Sequence, residues 1–342
     1  MNQEQPSADK LPSEQMVQMV SSYWLSQALG AVARLGIPDR IAAQPRTSEG
    51  IAKAVGIDPD AAHRVMRALA SIGVFRQLED ARFALTPLGE TLCSNVPGSV
   101  RDFAVMLTDT PHWQAWGKFL EALKSGRPVL KAVLGMELWE WYSQHSGDAN
   151  AFSLAMGNLA RMVAAELTRV VDFSQVQTVA DVGGAHGVLL TAILQHYPHT
   201  RGILFDLPHV IETAKPVIEA QGLSDRCELS AGDFFNEVPS GADVHVLKQI
   251  LHDWDDQRAT LILENCRRSL RPNGRVLLVE MVLPPDSAPS PAHFIDLNML
   301  VLLGGRERSA SEFAVLLEKS GFKPPRFIET DSPFVVIEAK RG

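Results

Sequence analysis

The chain has 342 residues, of which 46% are hydrophobic and 21% charged, so it supports large cores and is not expected to be disordered. Its length predicts about two domains. The formal net charge of −8 argues against a dedicated nucleic-acid-binding protein, which would present a basic face. Three widely spaced cysteines form neither a disulfide framework nor a zinc pattern, which favours a cytoplasmic location. No signal-peptide pattern and no apolar run of about 18 residues is found, so no membrane association is expected.

The first half of the chain has a helical pattern. Residues 1 to about 12 are polar and are expected to be frayed. A helix is predicted over residues 16–32, with apolar side chains on nearly every side. Such a helix is buried on several faces, either in a core or against a second subunit.

A winged helix is predicted next. Residues 47–55 form a short helix, and Asp58 caps a second helix with an apolar face. Residues 74–78 and 81–85 then form a hairpin. Residues 40–90 carry seven basic and six acidic side chains, a small surplus for neutralising phosphates. The module is therefore predicted to dimerise and to wall a pocket, and a DNA-binding regulator is the less favoured alternative.

From about residue 176 strands alternate with helices, which predicts a mostly parallel sheet with helices on both faces. The predicted strands cover residues 178–182, 202–206, 226–230, 242–248 and 275–281, with two short strands at the C-terminus. Helices are predicted over residues 188–197, 255–270 and 309–320, and before Gly222. Residues 286–305 are interpreted as an insertion that helps to shape a pocket.

His252 follows one of these strands and precedes a helix that begins near Asp255. In open α/β sheets, ligands bind at the carboxyl ends of the strands. A histidine at this position is well placed for proton transfer.

A glycine-rich turn at residues 183–187 suits a nucleoside cofactor, because Asp206 at the end of the next strand can bind ribose hydroxyls. The spacing alone leaves NAD possible. The turn nevertheless departs from the dinucleotide fingerprint. Asp233 and Phe234 after the third strand can also bind and cover an adenine ring, which favours a cofactor with a single nucleoside.

Five ordered motifs resemble those of the S-adenosylmethionine-dependent O-methyltransferases of the caffeate and acetylserotonin type. They are Asp-Val-Gly-Gly-x-x-Gly (181–187), Phe-Asp-Leu-Pro-His-Val (205–210), Gly-Asp-Phe-Phe (232–235), Leu-Lys-x-Ile-Leu-His-Asp-Trp (247–254) and Gly-Gly-x-Glu-Arg (304–308). The resemblance implies an α/β fold, the class I methyltransferase Rossmann-like sheet with one antiparallel strand, in residues 173–342. It further implies an N-terminal helical and winged-helix domain, residues 1–172, that builds an intertwined homodimer and caps the substrate.

The resemblance also implies a role for particular residues. His252 matches the general base, flanked by Glu280 and Glu307. The matches to cofactor-binding positions are Gly183, Asp206, Leu207, Asp233, Phe234 and Lys248. The matches to the acceptor pocket are Met156, Asp253, Asn298 and Met299. Ala185 stands where the family often has glycine, so its backbone is expected to avoid a strained positive φ.

Alternatives remain for the two acids and for the reaction. Glu280 could face solvent, and Glu307 could pair with Arg306 or Arg308. The expected acceptor is a phenol or enol of a small aromatic secondary metabolite, as in antibiotic biosynthesis, such as a hydroxyquinone or a phenazine. Hydroxylation or decarboxylation of a polyketide on the same scaffold is the alternative reaction. The spacing of acidic and histidine side chains predicts no metal site.

Overall fold

The computed structural model describes residues 11–342, and most of the stretch predicted to be frayed lies outside them. The chain divides into two compact units, Met1–Thr108 and Asp109–Gly342. Within the described part of the chain, no helix is long and apolar enough to cross a membrane.

The first unit combines helices with a three-stranded antiparallel sheet in which β3 is central. Its elements are α1 (Pro12–Arg34), α2 (Ile37–Ala42), β1 (Arg46–Thr47), α3 (Ser48–Val55), α4 (Pro59–Ala70), β2 (Phe75–Gln77), β3 (Arg82–Leu85), α5 (Pro87–Glu90) and α6 (Arg101–Leu107). The order of α3, α4 and the β2–β3 hairpin confirms the predicted winged helix. Thr47 and Asp58 cap α3 and α4 by accepting hydrogen bonds from backbone N–H groups of the first turn.

The helix predicted over residues 16–32 is α1, and most of it is exposed. The side chains of Val17, Met19, Val20 and Trp24 are 65% to 70% exposed. Only its C-terminal part, including Val32, is buried in the core of the first unit. A contiguous apolar surface of this kind marks an interaction site.

The second unit begins with five helices and continues as an α/β sheet. The helices are α7 (Thr110–Trp116), α8 (Phe119–Ser125), α9 (Leu130–Leu134), α10 (Leu138–Gln144) and α11 (Ser146–Val170). The rest comprises β4 (Thr178–Val182), α12 (Val188–His196), β5 (Arg201–Asp206), α13 (Pro208–Ala220), β6 (Cys227–Ala231), β7 (Val244–Lys248), α14 (Asp256–Ser269), β8 (Arg275–Glu280), β9 (Val282–Leu283), α15 (Ala292–Leu302), β10 (Arg308–Ser309), α16 (Ala310–Lys319), β11 (Arg326–Glu329) and β12 (Val335–Lys340).

The large sheet has seven strands in the order β11-β12-β8-β7-β4-β5-β6. Strand β12 runs antiparallel to both of its neighbours, and the other pairs are parallel. Strands β4, β7 and β8 are nearly completely buried, as expected for a sheet covered on both faces. The predicted fold class, including its single antiparallel strand, is confirmed.

The compact units divide earlier in the chain than the change of sequence pattern at residue 172. Leu130 and Leu138 share a hydrophobic cluster with Val301, and Leu167 packs with Leu190 of α12. The helices from Thr110 onward therefore pack against helices of the α/β part, α15 and α12, and belong to the same compact unit. The sequence pattern changes where the first strand of the sheet begins, whereas the boundary of the compact unit is set by the packing of the helices before that strand.

A further difference concerns residues 286–305, where the structure forms α15. Helix α15 is apolar on several sides, with Met299, Val301 and Leu302 all buried. It therefore lacks the separate apolar and polar faces from which an amphipathic helix is predicted in a sequence.

Candidate active site

A cavity opens at the carboxyl ends of β4, β5, β6 and β7. The six residues predicted to bind the cofactor line this cavity: Gly183, Asp206, Leu207, Asp233, Phe234 and Lys248. Met156 and Asp253, two of the residues predicted to line the acceptor pocket, also lie on its wall. The strand ends thus bring together residues that lie far apart in sequence.

The turn after β4 brings the backbone close to the cavity. Gly183 has φ +74°, and a Cβ there would lie 2.5 Å from the Ile250 side chain. At Gly184, a Cβ would lie 2.6 Å from Cγ of Asp181. Both positions therefore require glycine, because a Cβ would overlap side chains that are packed against the turn.

Ala185 adopts the positive φ that it was expected to avoid, so that expectation is wrong. Its φ is +49°, in the left-handed region, which is costly for a residue with a Cβ. Its backbone N–H donates to Oδ2 of Asp206 at 2.8 Å. This hydrogen bond holds the turn in the left-handed conformation despite the methyl group.

Asp206 is oriented by two backbone hydrogen bonds. Its oxygens accept from the N–H groups of Ala185 and Leu207, the latter at 2.7 Å. Burial raises the pKa of Asp206, and these two bonds oppose the rise. Each carboxylate oxygen can accept more than one hydrogen bond, so the fixed carboxylate still has acceptor capacity for ribose hydroxyls.

The Asp233–Phe234 element is also held in place. Oδ1 of Asp233 accepts from the Phe235 N–H at 2.9 Å. The buried side chain of Asn265 donates to the carbonyl of Phe234 at 2.8 Å. Both predicted adenine contacts are therefore presented by a constrained backbone.

Asp181 is a candidate ligand-binding residue that was not predicted, although it is the first residue of the Asp-Val-Gly-Gly-x-x-Gly motif. It lines the cavity and is 3% exposed, and its Oδ2 makes no hydrogen bond in the structure. Burial raises the pKa of Asp181 to about 7, against the effect of Lys248. A buried carboxylate oxygen without a donor needs a partner, and a cationic group of a ligand would supply one.

Lys248 is surrounded by acidic groups at the same edge of the sheet. Burial lowers the pKa of its ammonium to about 8, while the charges of Glu280, Asp181 and Asp253 oppose that effect. The ammonium donates to the side chain of Gln249.

The predicted base and its two acids form one buried cluster. His252 Nδ1 lies 2.6 Å from Oε1 of Glu307, and His252 Nε2 lies 3.4 Å from Oδ1 of Asp253. Glu280 accepts from the N–H groups of Ile250 and Leu251 at 3.2 and 3.1 Å. Glu280 and Glu307 are both 0% exposed, so the solvent-facing alternative for Glu280 is wrong.

The local ion-pair alternative for Glu307 is also wrong. Arg306 pairs with Glu312 at 2.7 Å, and Arg308 pairs with Asp256 at 2.8 Å. The Glu307 carboxylate instead meets His252.

The charges of the cluster change the acidity of its members. Burial alone would lower the pKa of His252, but the charge of Asp253 and the hydrogen bond to Glu307 outweigh it and raise the pKa to about 9. Burial raises the pKa of Glu280 to about 7 and that of Asp253 to about 6. Because these groups interact closely, they titrate as a unit.

The cluster contains side chains of the kinds that bind metal ions. Donor atoms of His252, Glu280 and Glu307 lie within 4.8 Å of one another, although no sequence spacing indicated this. Two ligands on one tetrahedral zinc ion would be about 3.3 Å apart, given bonds of about 2.0 Å. The 2.6 Å between His252 and Glu307 is a hydrogen-bond length, so the cluster in this arrangement holds a proton between these two atoms.

The two remaining predicted residues lie on α15. Oδ1 of Asn298 accepts from Trp116 Nε1 at 2.8 Å, and Met299 is 6% exposed. Neither side chain lines the cavity described above, and their contact with an acceptor stays a prediction. The apolar wall of the cavity comes instead from four aromatic side chains: Trp139, Tyr142, Phe152 and Trp254.

Comparison with known proteins identifies the family. The O-methyltransferase domain matches residues 116–323, and the O-methyltransferase dimerisation domain matches residues 17–95. The chain belongs to the O-methyltransferase family. It is an S-adenosylmethionine-dependent O-methyltransferase, and the predicted cofactor is confirmed.

Relatives of this O-methyltransferase match over nearly the whole chain. The phenazine O-methyltransferase PhzM of Lysobacter antibioticus is 40% identical and covers 95% of both chains. The phenazine-1-carboxylate N-methyltransferase of Pseudomonas aeruginosa is 31% identical, over 96% of this chain and 97% of its own. The solved structure of CalO1, a methyltransferase in calicheamicin biosynthesis in its SAH-bound form, is 33% identical, with a TM-score of 0.81 over 98% of this chain and 100% of its own.

The positive φ at Ala185 leads to a stability prediction. Replacement of Ala185 by glycine should raise the free energy of unfolding by up to about 1 kcal/mol, because glycine adopts this conformation without the cost of a Cβ. Urea unfolding measures the change. Ala165→Gly, on the exposed side of α11, is the control and should lower stability by about 0.5–1 kcal/mol. Equal losses in the two variants would contradict the assignment of strain to Ala185.

Proposed function

We propose that this enzyme methylates a phenolic or enolic hydroxyl of a small aromatic secondary metabolite, with His252 as the general base. The observation that carries the proposal is the buried pair of His252 and Glu307, 2.6 Å apart. The pair is joined through the adjacent Asp253 to the wall of a cavity lined by the predicted cofactor residues. A base beside a methyl donor is the arrangement that methylation of a hydroxyl requires.

The cavity fits S-adenosylmethionine by the chemistry of its lining residues. Gly183 and Gly184 line the cavity with main chain, and Asp206 presents a fixed carboxylate for ribose hydroxyls. Phe234 lies beside Asp233 for the adenine, and the partnerless oxygen of Asp181 suits the amino group. When bound, the cofactor supplies an electrophilic methyl on its sulfonium.

His252 is prepared for proton transfer by its two neighbours. Glu307 accepts the Nδ1 proton, and Nε2, which lies 3.4 Å from Oδ1 of Asp253, is the nitrogen that takes the proton of an acceptor hydroxyl. A phenol has a pKa of about 10, and the carboxylates raise the pKa of His252 to about 9. Transfer of the proton is then only slightly uphill, and the imidazolium formed is stabilised by Glu307.

The acceptor end of the cavity suits a flat aromatic molecule. The rings of Trp139 and Phe152 are 5.7 Å apart, and those of Trp139 and Trp254 are 6.4 Å apart. Met156 adds a flexible apolar side chain to this wall. The phenazine O-methyltransferase named above supports an acceptor of the polycyclic class.

Product analysis tests the proposal against its alternatives. The enzyme is incubated with S-adenosylmethionine and with a panel of phenols that includes a monohydroxyphenazine, a hydroxyquinone and a hydroxybenzoate. The expected product gains one methyl group on oxygen, identified by mass spectrometry and NMR. A product that gains oxygen, loses carbon dioxide or carries the methyl on nitrogen would refute O-methylation of this acceptor class.

Replacement of His252 by alanine should slow methyl transfer to a neutral phenol by roughly 100-fold or more, because the base is lost. Affinity for S-adenosylhomocysteine, measured by calorimetry, should be nearly unchanged. The defect should shrink for acceptors that are already ionised at the assay pH. His199→Ala, on an exposed loop, is the control. Wild-type turnover of a neutral phenol by His252→Ala would make the assignment wrong.

The pH profile should depend on Glu307. Only neutral His252 acts as a base, so turnover of a neutral phenol should rise with pH towards about 9. Glu307→Gln removes a charge that raises the pKa of His252, so the rising limb should move to lower pH while the maximal rate falls. Glu318→Gln, on the exposed side of α16, is the control. An unchanged limb in Glu307→Gln would show that this pair does not govern the base.

The enzyme is proposed to act as a homodimer built on α1. The matched dimerisation domain includes most of this helix, and its side chains Val17 and Val20 are 67% and 69% exposed. The double variant Val17→Glu and Val20→Glu should shift the mass measured by light scattering from dimer to monomer, because charge at a buried apolar interface is costly. Val315→Glu, on an exposed apolar site of α16, should remain a dimer. A wild-type monomer at micromolar concentration would contradict the proposal.

A further inference from the structure

Arg308 is the largest fully buried side chain in the described part of the chain, at 1% exposure. A buried guanidinium must have its donors satisfied, because the loss of water is costly for a charged group. Its only acidic partner in the structure of residues 11–342 is Asp256, whose side chain is 68% exposed. The remaining donors of Arg308 are used on main-chain carbonyls.

These carbonyls flank His252 in sequence. The guanidinium donates to the carbonyl of Leu251 at 2.8 Å and to that of Trp254 at 2.8 Å. Its Nε donates to Asp256 at 2.9 Å. Arg308 therefore binds the turn that carries His252 on both sides of that residue.

The segment before Arg308 makes further contacts with the same turn. The carbonyl of His252 accepts from the Arg306 N–H at 2.8 Å. A Cβ at Gly305 would lie 2.0 Å from that carbonyl oxygen, so the two main chains are in direct contact. Glu307 lies between these attachments, and its side chain reaches His252.

We propose that Arg308 is a positioning residue for methyl transfer, which holds the His252 turn against the segment that carries Glu307. This inference rests on the proposed function of His252 as the base. Within the described residues, Arg308 makes no hydrogen bond or ion pair with the side chains of His252 or Glu307. It acts through the main chain, by fixing the carbonyls on either side of the base.

The geometry explains why an arginine stands at this position. A planar guanidinium presents five donors in a rigid fork, and four groups in the 251–256 and 306–308 segments accept from it: the carbonyls of Leu251, Trp254 and Arg306 and the carboxylate of Asp256. A misplacement of about 1 Å in a catalytic group can cost about 100-fold in rate. Loss of this side chain should therefore slow the reaction without removing any group that touches the cofactor or acceptor.

The test compares Arg308→Met with Arg226→Met. Arg226 is a matched control, because it also donates to main-chain carbonyls, those of Leu194 and Thr200, at the opposite end of the sheet from the cavity. With a monohydroxyphenazine as acceptor, Arg308→Met should lower kcat by about 10- to 100-fold. The KM for S-adenosylmethionine should change by no more than about twofold, which indicates intact cofactor binding. Arg226→Met should keep kcat within about twofold of wild type, even if its melting temperature falls.

A second readout separates positioning from general destabilisation. The pKa of His252 is measured by NMR on protein with isotope-labelled histidine, below the melting temperature of each variant. In Arg308→Met it should fall from its raised value towards about 6.5, because the contact with Glu307 is loosened. In Arg226→Met it should stay at the wild-type value. An unchanged pKa and kcat in Arg308→Met would overturn the proposal.

Two alternative measurements apply if Arg308→Met does not fold or if the wild-type enzyme methylates no phenol. If Arg308→Met does not fold, Asp256→Asn takes its place, since it weakens the anchor of the guanidinium at an exposed side chain. Asp256→Asn should lower both kcat and the pKa of His252, as expected for Arg308→Met. Wild-type values of both would overturn the proposal. If the wild-type enzyme methylates no phenol, the proposed function fails, but the NMR comparison still decides whether Arg308 positions His252.

Discussion

The hydrogen bond between His252 and Glu307 joins two segments of the chain that are 55 residues apart in sequence. Both side chains are buried, and a charged pair in such a place is stabilising only when its geometry and surroundings are favourable. The strand β8, the turn at residues 251–253 and the segment before β10 all contribute to that geometry. The arrangement of these three segments around His252 therefore depends on this hydrogen bond.

The acidic surroundings of His252 have two opposing consequences. Asp253 and Glu307 raise the pKa of the imidazole, which makes it a stronger base and brings it close to the pKa of a phenol. The same effect keeps more of the histidine protonated at neutral pH. The most active form therefore requires loss of a proton from the cluster, and its members share that proton because they titrate together.

The cofactor side of the cavity depends on main-chain geometry at the strand ends. Gly183, Ala185 and Gln249 all have positive φ, and all three line the cavity. Glycine adopts a positive φ without strain, but Ala185 and Gln249 do not. Strained backbone persists where the surrounding structure determines it, and it is concentrated at functional sites. At Ala185 the hydrogen bond to Asp206 is a visible cause. The strain at Ala185 and the orientation of the Asp206 carboxylate are thus parts of one local structure.

The sequence by itself determined the features that depend on local order. Alternation of strands and helices predicted the sheet, and His252, Asp206 and Asp233 could be placed at strand ends because each lies at or within a few residues of the end of a strand. The motifs around them also sufficed to indicate the cofactor class. Helix caps such as Asp58 were readable for the same reason, since the side chain and the N–H it binds lie three residues apart.

The tertiary structure alone decided which distant groups meet. The partners of Arg308, the partnerless oxygen of Asp181 and the aromatic wall at Trp139 follow from packing between segments that are remote in sequence. The residues next to each of these positions in the sequence do not indicate such contacts. The conformation of Ala185 was predicted wrongly for a related reason: the sequence shows the cost of its Cβ, but the hydrogen bond that opposes this cost comes from another strand.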